Sequence, residues 1–335
     1  MSSEDADSRI GRRFRLRELH ILFAVAQFGS MAKAAAHLAI TQPAVSQAVS
    51  ALEAEVRVPL LERSPHGVTL TIYGEALLKR GLEAFDALKQ GLRDIEYLAD
   101  PESGEIRIGC AESLAAGLLP SIIDRFSSRH SQIVFHIVEA YTAELDFRQL
   151  RERSIDLVLG RLSKPTGDVD DISVEFLFDD PLFVVAGKNS PWARRSHIDL
   201  AELTNERWIM APSNNIVRSL FFEAFRVRGL DPPQVKIVSN SMHVRMHLLA
   251  TGRFLTVLAS SLLRHNADRW SFKVLPINLG VQQLPVGIAT LRGRVLSPAV
   301  QLFIEDAKLV AQSISTCVGI ARGEGQRRKP PTNIR

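Results

Sequence analysis

The chain has 335 residues, 41 Lys plus Arg against 37 Asp plus Glu, a formal net charge of +4, 46% apolar and 23% charged residues. That length suits about two domains and that balance is near a globular average, which excludes a disordered polymer or a collagen-like chain. No run approaches the ~18 consecutive apolar residues of a membrane span, and Glu4, Asp5 and Asp7 stand where a signal peptide would be basic. The expectation is a cytoplasmic protein with no membrane partner. Cys110 and Cys317 are far apart and fit no metal or CxxC spacing, so both are expected to be small buried hydrophobes, with oxidation as the remote alternative.

Charge is unevenly placed. Residues 9–80 carry ten basic against five acidic side chains, and the last 17 residues carry five basic against one acidic. Both segments have the balance of a polyanion binder.

In chain order, Leu16 to Phe28 places Leu19, Leu22, Phe23 and Ala26 on one helical face, with Gly29 to end the helix. Ser30 can cap the next helix, Met31 to Leu38, whose alanines allow close approach. Thr41 can cap a third, Gln42 to Val56, with Pro43 in its first turn. There Val45, Ala48, Val49 and Leu52 share one side, and Gln42, Ser46, Gln47 and Ser50 share the other. A short, uncharged polar face can approach base edges, since Gln bonds adenine through N6 and N7 and Ser donates or accepts. An ordinary surface helix lacking charge is the plainer alternative. Next, Leu60 to Arg63, Ser64-Pro65-His66-Gly67 and Val68 to Thr71 read as a two-stranded wing. Lys33, Thr41 and Arg63, with the Arg12 to Arg17 cluster, are candidate phosphate contacts; each charge alone also fits a solvated surface. Thr71 can cap a long helix, Ile72 to Ala99, whose Leu78, Phe85 and Leu92 repeat every seven residues, as do Gly81, Leu88 and Ile95. That seam pairs with a second copy or packs on the same chain.

The residues Ala34-Ala35, His37-Leu38, Ile40-Thr41-Gln42-Pro43-Ala44-Val45-Ser46-Gln47, Leu52-Glu53, Leu60-Leu61-Glu62-Arg63, Val68-Thr69-Leu70-Thr71 and Gly74-Glu75 together resemble the N-terminal signature of the LysR-type transcriptional regulators. The match is dense over about 65 residues, and the layout resembles that family over nearly the whole chain. The resemblance implies an N-terminal all-α winged helix-turn-helix with a long linker helix, then an α/β two-lobed, periplasmic-binding-protein-like (type II) effector domain. It also implies double-stranded promoter DNA, a small-molecule effector and a second copy of the chain as partners, usually in a homotetramer, with RNA polymerase a further one. Gln42, Pro43, Ser46, Gln47 and Ser50 would then meet bases. No cofactor other than a small-molecule co-inducer is expected, and no metal.

After the breaker-rich stretch 100–104 the pattern changes. Strands are expected at Glu105–Cys110, Ile133–Glu139, Ile155–Gly160, Leu182–Ala186, Trp208–Ala211, Val235–Val238, Leu255–Ala259 and Pro285–Thr290. Helices are expected at Leu114–Arg129, Ala143–Arg153, Ile216–Arg228, Met242–Ala250 and Pro298–Ser313. The resulting division is 1–71 for the DNA-binding domain, with 1–10 disordered, then 72–100 for the linker helix and 101–318 for the effector domain. Lobe I would hold 104–178 and 276–318, lobe II 179–275, and 319–335 would form a disordered basic tail. Loops that follow a strand and begin a helix would open onto the inter-lobe cleft: Ala111-Glu112-Ser113, Tyr141-Thr142, Gly160-Arg161, Pro212-Ser213-Asn214 and Asn240-Ser241. By resemblance Ser113, Thr142 and the loop at Pro212 to Asn214 match positions that hold the family's effector, although Ser and Thr there also serve as plain caps. Arg161 has two roles open, pairing an acidic ligand or bridging to Glu112. Arg253-Phe254 departs from the family pattern of a small residue and glycine and is expected to reshape the edge of the cleft.

His243 and His247 have the i, i+4 spacing of paired metal ligands but lack a third ligand and an HExxH glutamate. GxSxG, GxxxxGK[ST] and GxGxxG after a strand are absent, so no enzyme class is indicated. Two readings stand: a DNA-binding regulator that activates or represses, and a soluble solute-binding protein with an incidental helical N-terminal extension.

Overall fold

The computed structural model describes residues 15–64, 67–100, 103–139, 147–162, 170–212, 215–266 and 270–323. The chain divides into two compact units, Met1–Lys89 and Gln90–Arg335.

The first unit begins with α1 (Leu16–Phe28), α2 (Met31–His37) and α3 (Gln42–Val56). Leu22 and Val25 of α1, Ala34 of α2, and Val45 and Val49 of α3 are fully buried in one core, as the helical spacing requires. Gly29 closes α1 in the left-handed region at φ 60°, donating its amide to the Val25 carbonyl. Ser30 caps α2 by accepting from the Lys33 amide. Thr41 stands at the N-cap of α3, but its hydroxyl makes no cap bond there, so Pro43 in the first turn is the start signal that operates. Glu53 then accepts from the amides of Leu60 (2.8 Å) and Leu61 (3.3 Å), fixing the turn into the wing.

The wing pairs β1 (Leu61–Ser64) with β2 (Gly67–Leu70), with Arg63 opposite Val68. The Val68 amide donates to the Gly29 carbonyl and ties the wing to the α1–α2 turn. α4 (Ile72–Ala99) starts where Thr71 accepts from the Gly74 amide at 3.1 Å. Any side chain at Gly74 would meet the Leu60 carbonyl oxygen at 2.1 Å, so glycine is required by close approach.

The seam expected along α4 is divided. Gly81 lies against Phe23 and Leu19 of α1, and the rings of Phe85 and Phe23 stand 5.3 Å apart, edge to face. Leu88, Leu92 and Ile95 are exposed, Leu92 at 62%. The two heptad columns therefore do not form one continuous contact, because α1 takes the first turns. The boundary between the two compact units falls within α4, after Lys89.

The second unit holds two five-stranded sheets. Lobe I contains β3 (Ser103–Cys110), β4 (Gln132–Glu139), β5 (Leu157–Arg161), β6 (Ile172–Asp180) and β12 (Leu284–Leu291), in the order β4-β3-β5-β12-β6. Around it pack α5 (Glu112–Ala115), α6 (Leu118–Ser127), α7 (Arg148–Arg151) and α11 (Pro298–Gly323). Lobe II contains β7 (Leu182–Gly187), β8 (Trp208–Met210), β9 (Val235–Val238), β10 (Leu255–Ala259) and β11 (Phe272–Val274), in the order β11-β7-β10-β8-β9. Its helices are α8 (Ile216–Arg226), α9 (Met242–Ala250) and α10 (Ser260–Asn266).

Several expectations need correction. The helix expected over 114–129 is two helices, because a Cβ at Gly117 would lie 2.9 Å from Leu262 Cα and Ser261 O of lobe II, and the chain breaks there to admit that backbone. Only Arg148–Arg151 is helical within the expected 143–153, of which 143–146 lie outside the described residues. β6 and β11 were not expected. The second crossover lies later than 276, since Leu275, Leu279 and Leu284 belong to the core of lobe II. The helix expected to end at Ser313 runs to Gly323, so the tail expected from 319 is helical over its first five positions. The rest of the tail, the first ten residues, Arg12, Arg13 and the wing tip Pro65-His66 lie outside the described residues.

Candidate nucleic-acid interface and ligand cleft

The buried and exposed sides of α3 separate cleanly. Val45 and Val49 are 0% exposed and Leu52 is 1% exposed, while Gln42, Pro43, Gln47 and Ser50 face solvent and Ser46 is half-buried. Lys33 in the first turn of α2, Thr41 before α3 and Arg63 on β1 are also exposed. The side chains of Lys33 and Arg63 make no ion pair among the described residues. The unit thus presents a neutral, hydrogen-bonding helix face accompanied by two available cations.

The cleft is built from both lobes. Ser113 in α5 and Arg161 at the end of β5 come from lobe I; Asn240 and Arg245, before and within α9, come from lobe II. They line a cavity of about 50 Å³ that adjoins one of about 30 Å³. Arg161 donates to the Ser113 hydroxyl at 2.6 Å and to Asp180 Oδ2 at 2.9 Å. Asp180, at the end of β6, accepts in turn from the amide (2.8 Å) and hydroxyl (2.7 Å) of Ser261 in lobe II. One buried carboxylate therefore holds the lobe I arginine and the first turn of α10 together. Arg161 forms no hydrogen bond or ion pair with Glu112, whose carboxylate accepts the Met242 amide instead. Of the two roles left open for Arg161, the bridge to Glu112 is overturned by Asp180.

Gly160 does not reach the cavities. β5 continues through Arg161, and Gly160 is buried opposite Gly287 of β12, inside the sheet rather than in a loop after it. Thr142, Ser213 and Asn214 lie outside the described residues. Arg253 and Phe254 line a separate depression of about 420 Å³ with Trp192 and Arg207, so their bulk does not reshape the cleft's edge as expected.

Arg245 is the cleft residue that sequence reasoning missed, together with Asp180 and Ser261. Its signal was available: Met242, Arg245, Met246 and Leu249 form the buried stripe of α9, and an arginine on such a stripe is anomalous. Burial lowers the Arg245 pKa, with Glu112 opposing that shift and Arg161 adding to it. Cys110, beside Arg161 at the end of β3, has its thiol pushed up to about 12 by burial, against a smaller pull from Arg161. A protonated, enclosed thiol is a poor nucleophile. His247 Nδ1 lies 2.9 Å from the His243 carbonyl, an ordinary contact within a helix, and no cluster of three or more metal-ligating side chains exists among the described residues.

A family model described as the LysR substrate binding domain matches residues 99–310, and one described as the bacterial regulatory helix-turn-helix protein, lysR family, matches residues 16–75. The chain belongs to the LysR family of transcriptional regulators. Among its relatives is the transcriptional dual regulator GltC of Bacillus subtilis, 27% identical over 290 residues, which are 87% of this chain and 95% of that one. The regulator GbpR of Azospirillum brasilense is 26% identical over 287 residues, 85% of this chain and 83% of that one. The fold is shared with a full-length OxyR variant from Pseudomonas aeruginosa, at TM-score 0.62 and 23% identity over 88% of this chain and 98% of that one. It is also shared with CbnR, a LysR family transcriptional regulator, at TM-score 0.60 and 20% identity over 89% and 99%. CbnR has also been solved with its target DNA. As a LysR-family protein the chain carries a helix-turn-helix DNA-binding domain and a two-lobed substrate-binding domain. That pairing favours the regulator over the solute-binding alternative. No single helix among the described residues is long and apolar enough to cross a membrane.

Proposed function

We propose that this LysR-family protein acts in the cytoplasm as a regulator rather than an enzyme. It binds promoter DNA by laying α3 in a major groove, and a small molecule in the inter-lobe cleft modulates it. Gln42, Pro43, Ser46, Gln47 and Ser50 read base edges, while Lys33, Thr41 and Arg63 hold phosphates. The observation that carries this reading is the uncharged, exposed face of α3 directly opposite its fully buried valines. The exposed stripe Leu88, Leu92 and Ile95 supports self-association through α4, which would set two reading heads on a two-fold-related site in a dimer or tetramer. Ser113, Arg161 and Asn240, which line the cavity, are the effector contacts together with Thr142, Ser213 and Asn214; no resident metal or cofactor takes part.

A bandshift titration against salt tests this. Affinity is expected to be sequence-dependent and to fall with log salt at ~0.9 per phosphate neutralised, and Arg63→Ala is expected to lower that slope by about 1. A fragment lacking residues 1–71 that shifts the same duplex as well as the full chain would overturn the reading.

A further inference from the structure

Lobe II carries a larger cavity that shares no lining residue with those of the inter-lobe cleft. It holds about 860 Å³, within the roughly 300 to 1,000 Å³ of sites that take organic ligands. Its lining comes from the start of β7, from Ser260 and Arg264 of α10, from the turn at Arg195, and from a strap that follows β11. The strap, residues 275–283, has no helix or strand, yet its backbone is held in place. Leu275 and Leu279 are buried in the core of lobe II, and Arg228 donates to the carbonyls of Asn278 (2.9 Å) and Leu279 (2.8 Å). Asn278 accepts in turn from the amide of Gly280, which stands at φ 64°. Fixed backbone, not a loose loop, bounds this side of the cavity.

The lining is of two kinds. Phe183, Val274, Ile277 and Val281 are partly buried and form an apolar wall. The charged side chains are Arg195, Arg264 and Lys273, and no carboxylate joins them among the described residues. In a chain with 41 basic and 37 acidic residues, an unbiased surface would mix the two signs. Arg195 is paired with Glu202 and stands 5.6 Å over the Trp192 ring, and Arg264 Nε donates to the Ser260 hydroxyl at 3.2 Å. Lys273 is exposed and makes no hydrogen bond or ion pair among the described residues.

The geometry points to a ligand site for an amphipathic organic anion. Its apolar body, an acyl chain or fused rings, lies against Phe183, Ile277 and Val281, and its one acidic head group meets Lys273 and Arg264. Charge complementarity selects the anion, since a cation would meet three like charges. Volume and wall select the body, because a small inorganic ion would leave the apolar surface in water. The cavity also touches both crossings of the chain between the lobes, at Pro181 after β6 and at Gln283 before β12, which gives its occupant a hold on the hinge.

Isothermal titration calorimetry of the full chain at constant ionic strength tests this, with decanoate, 2-naphthoate, decanol and acetate as probes below their micelle or solubility limits. Decanoate, 2-naphthoate or both are expected to bind saturably, roughly tenfold or more tighter than decanol or acetate. Binding of decanoate alone identifies an acyl chain, and of 2-naphthoate alone fused rings. The double variant Arg264→Glu, Lys273→Glu alters exposed side chains and is expected to bind the anion about tenfold more weakly, the range of two exposed ion pairs turned to repulsion. Lys273→Gln alone is expected to bind about threefold more weakly, which keeps the comparison should the double variant melt early. A control of equal charge, Lys188→Glu with Lys236→Glu, alters exposed cations of lobe II outside the cavity lining and is expected to bind as wild type does. No saturable binding of either anion, binding of decanol or acetate as tight as theirs, wild-type affinity in the Arg264 and Lys273 variants, or equal weakening in the control would each overturn the inference.

Discussion

Every side chain proposed to meet DNA lies between Lys33 and Arg63 in one folded segment, and those on α3 share a face defined by helical spacing alone. The cleft is assembled differently. Ser113 and Arg161 are 48 positions apart and Asp180 and Ser261 are 81 apart, and the four meet only when both sheets are folded. At the DNA face polar groups are left exposed for a partner; in the cleft, charges are buried and neutralised by one another, except at Arg245. The first arrangement tolerates surface substitution and changes recognition, whereas the second couples recognition to stability. The three tryptophans, Trp192, Trp208 and Trp270, all lie in lobe II, so their fluorescence reports on the sensor without the winged-helix unit.

Replacing Asp180 with Ala should produce the largest effect that sharpens this contrast. It strands the Arg161 charge and the Ser261 amide, and is expected to cost about 3 to 5 kcal/mol. Urea unfolding read by tryptophan fluorescence should show the loss, and an unchanged midpoint would contradict the buried-pair account. Leu52→Ala acts on the other unit, opening a cavity beneath α3 at a cost of about 2 to 5 kcal/mol. Its loss should show in helical circular dichroism while the tryptophan transition stays in place; a tryptophan transition that moves equally would mean the two units do not unfold separately.

Gln47→Ala should be smaller in stability and larger in recognition. Folding is expected to change by less than about 0.5 kcal/mol, while discrimination at one base pair falls by about 1 to 3 kcal/mol. Thr71→Ala removes the cap of α4 and its bond to the Pro59 carbonyl, with an expected cost of about 1 kcal/mol in the same dichroism experiment. The mildest expectation concerns Cys110. Its folded thiol pKa is raised, so its protonated form is favoured in the native state and the unfolded state gains as pH rises through the ordinary thiol range. In a Cys317→Ser background a thiol reagent at pH 8 should therefore react only after urea unfolds the protein, and fast native-state labelling would contradict that burial.

The two regions were unequally legible in the sequence. α1, α3 and α4 start and stop at the expected residues because caps, Gly29 and periodicity act locally. β6 was missed although Ile172, Val174, Phe176 and Phe178 alternate along it, and only Leu182–Ala186, beyond Pro181, was expected as a strand. β11 has three residues, too few for any periodicity. Gly117 broke an expected helix for a reason that lies in the other lobe, and Asp180 and Ser261 carry no local pattern at all. Arg245 differs from these, since its misplacement on an apolar stripe could be read from the chain even though the lack of a partner could not.

The most direct measurement is a base-preference profile from randomised duplexes, taken in parallel for wild type, Gln47→Ala and Arg63→Ala. Loss of preference at one or two adjacent positions in Gln47→Ala, with a uniform drop and intact preferences in Arg63→Ala, is the predicted result. Identical profiles for Gln47→Ala and wild type would contradict the assignment of the α3 face as the part of the molecule that reads DNA.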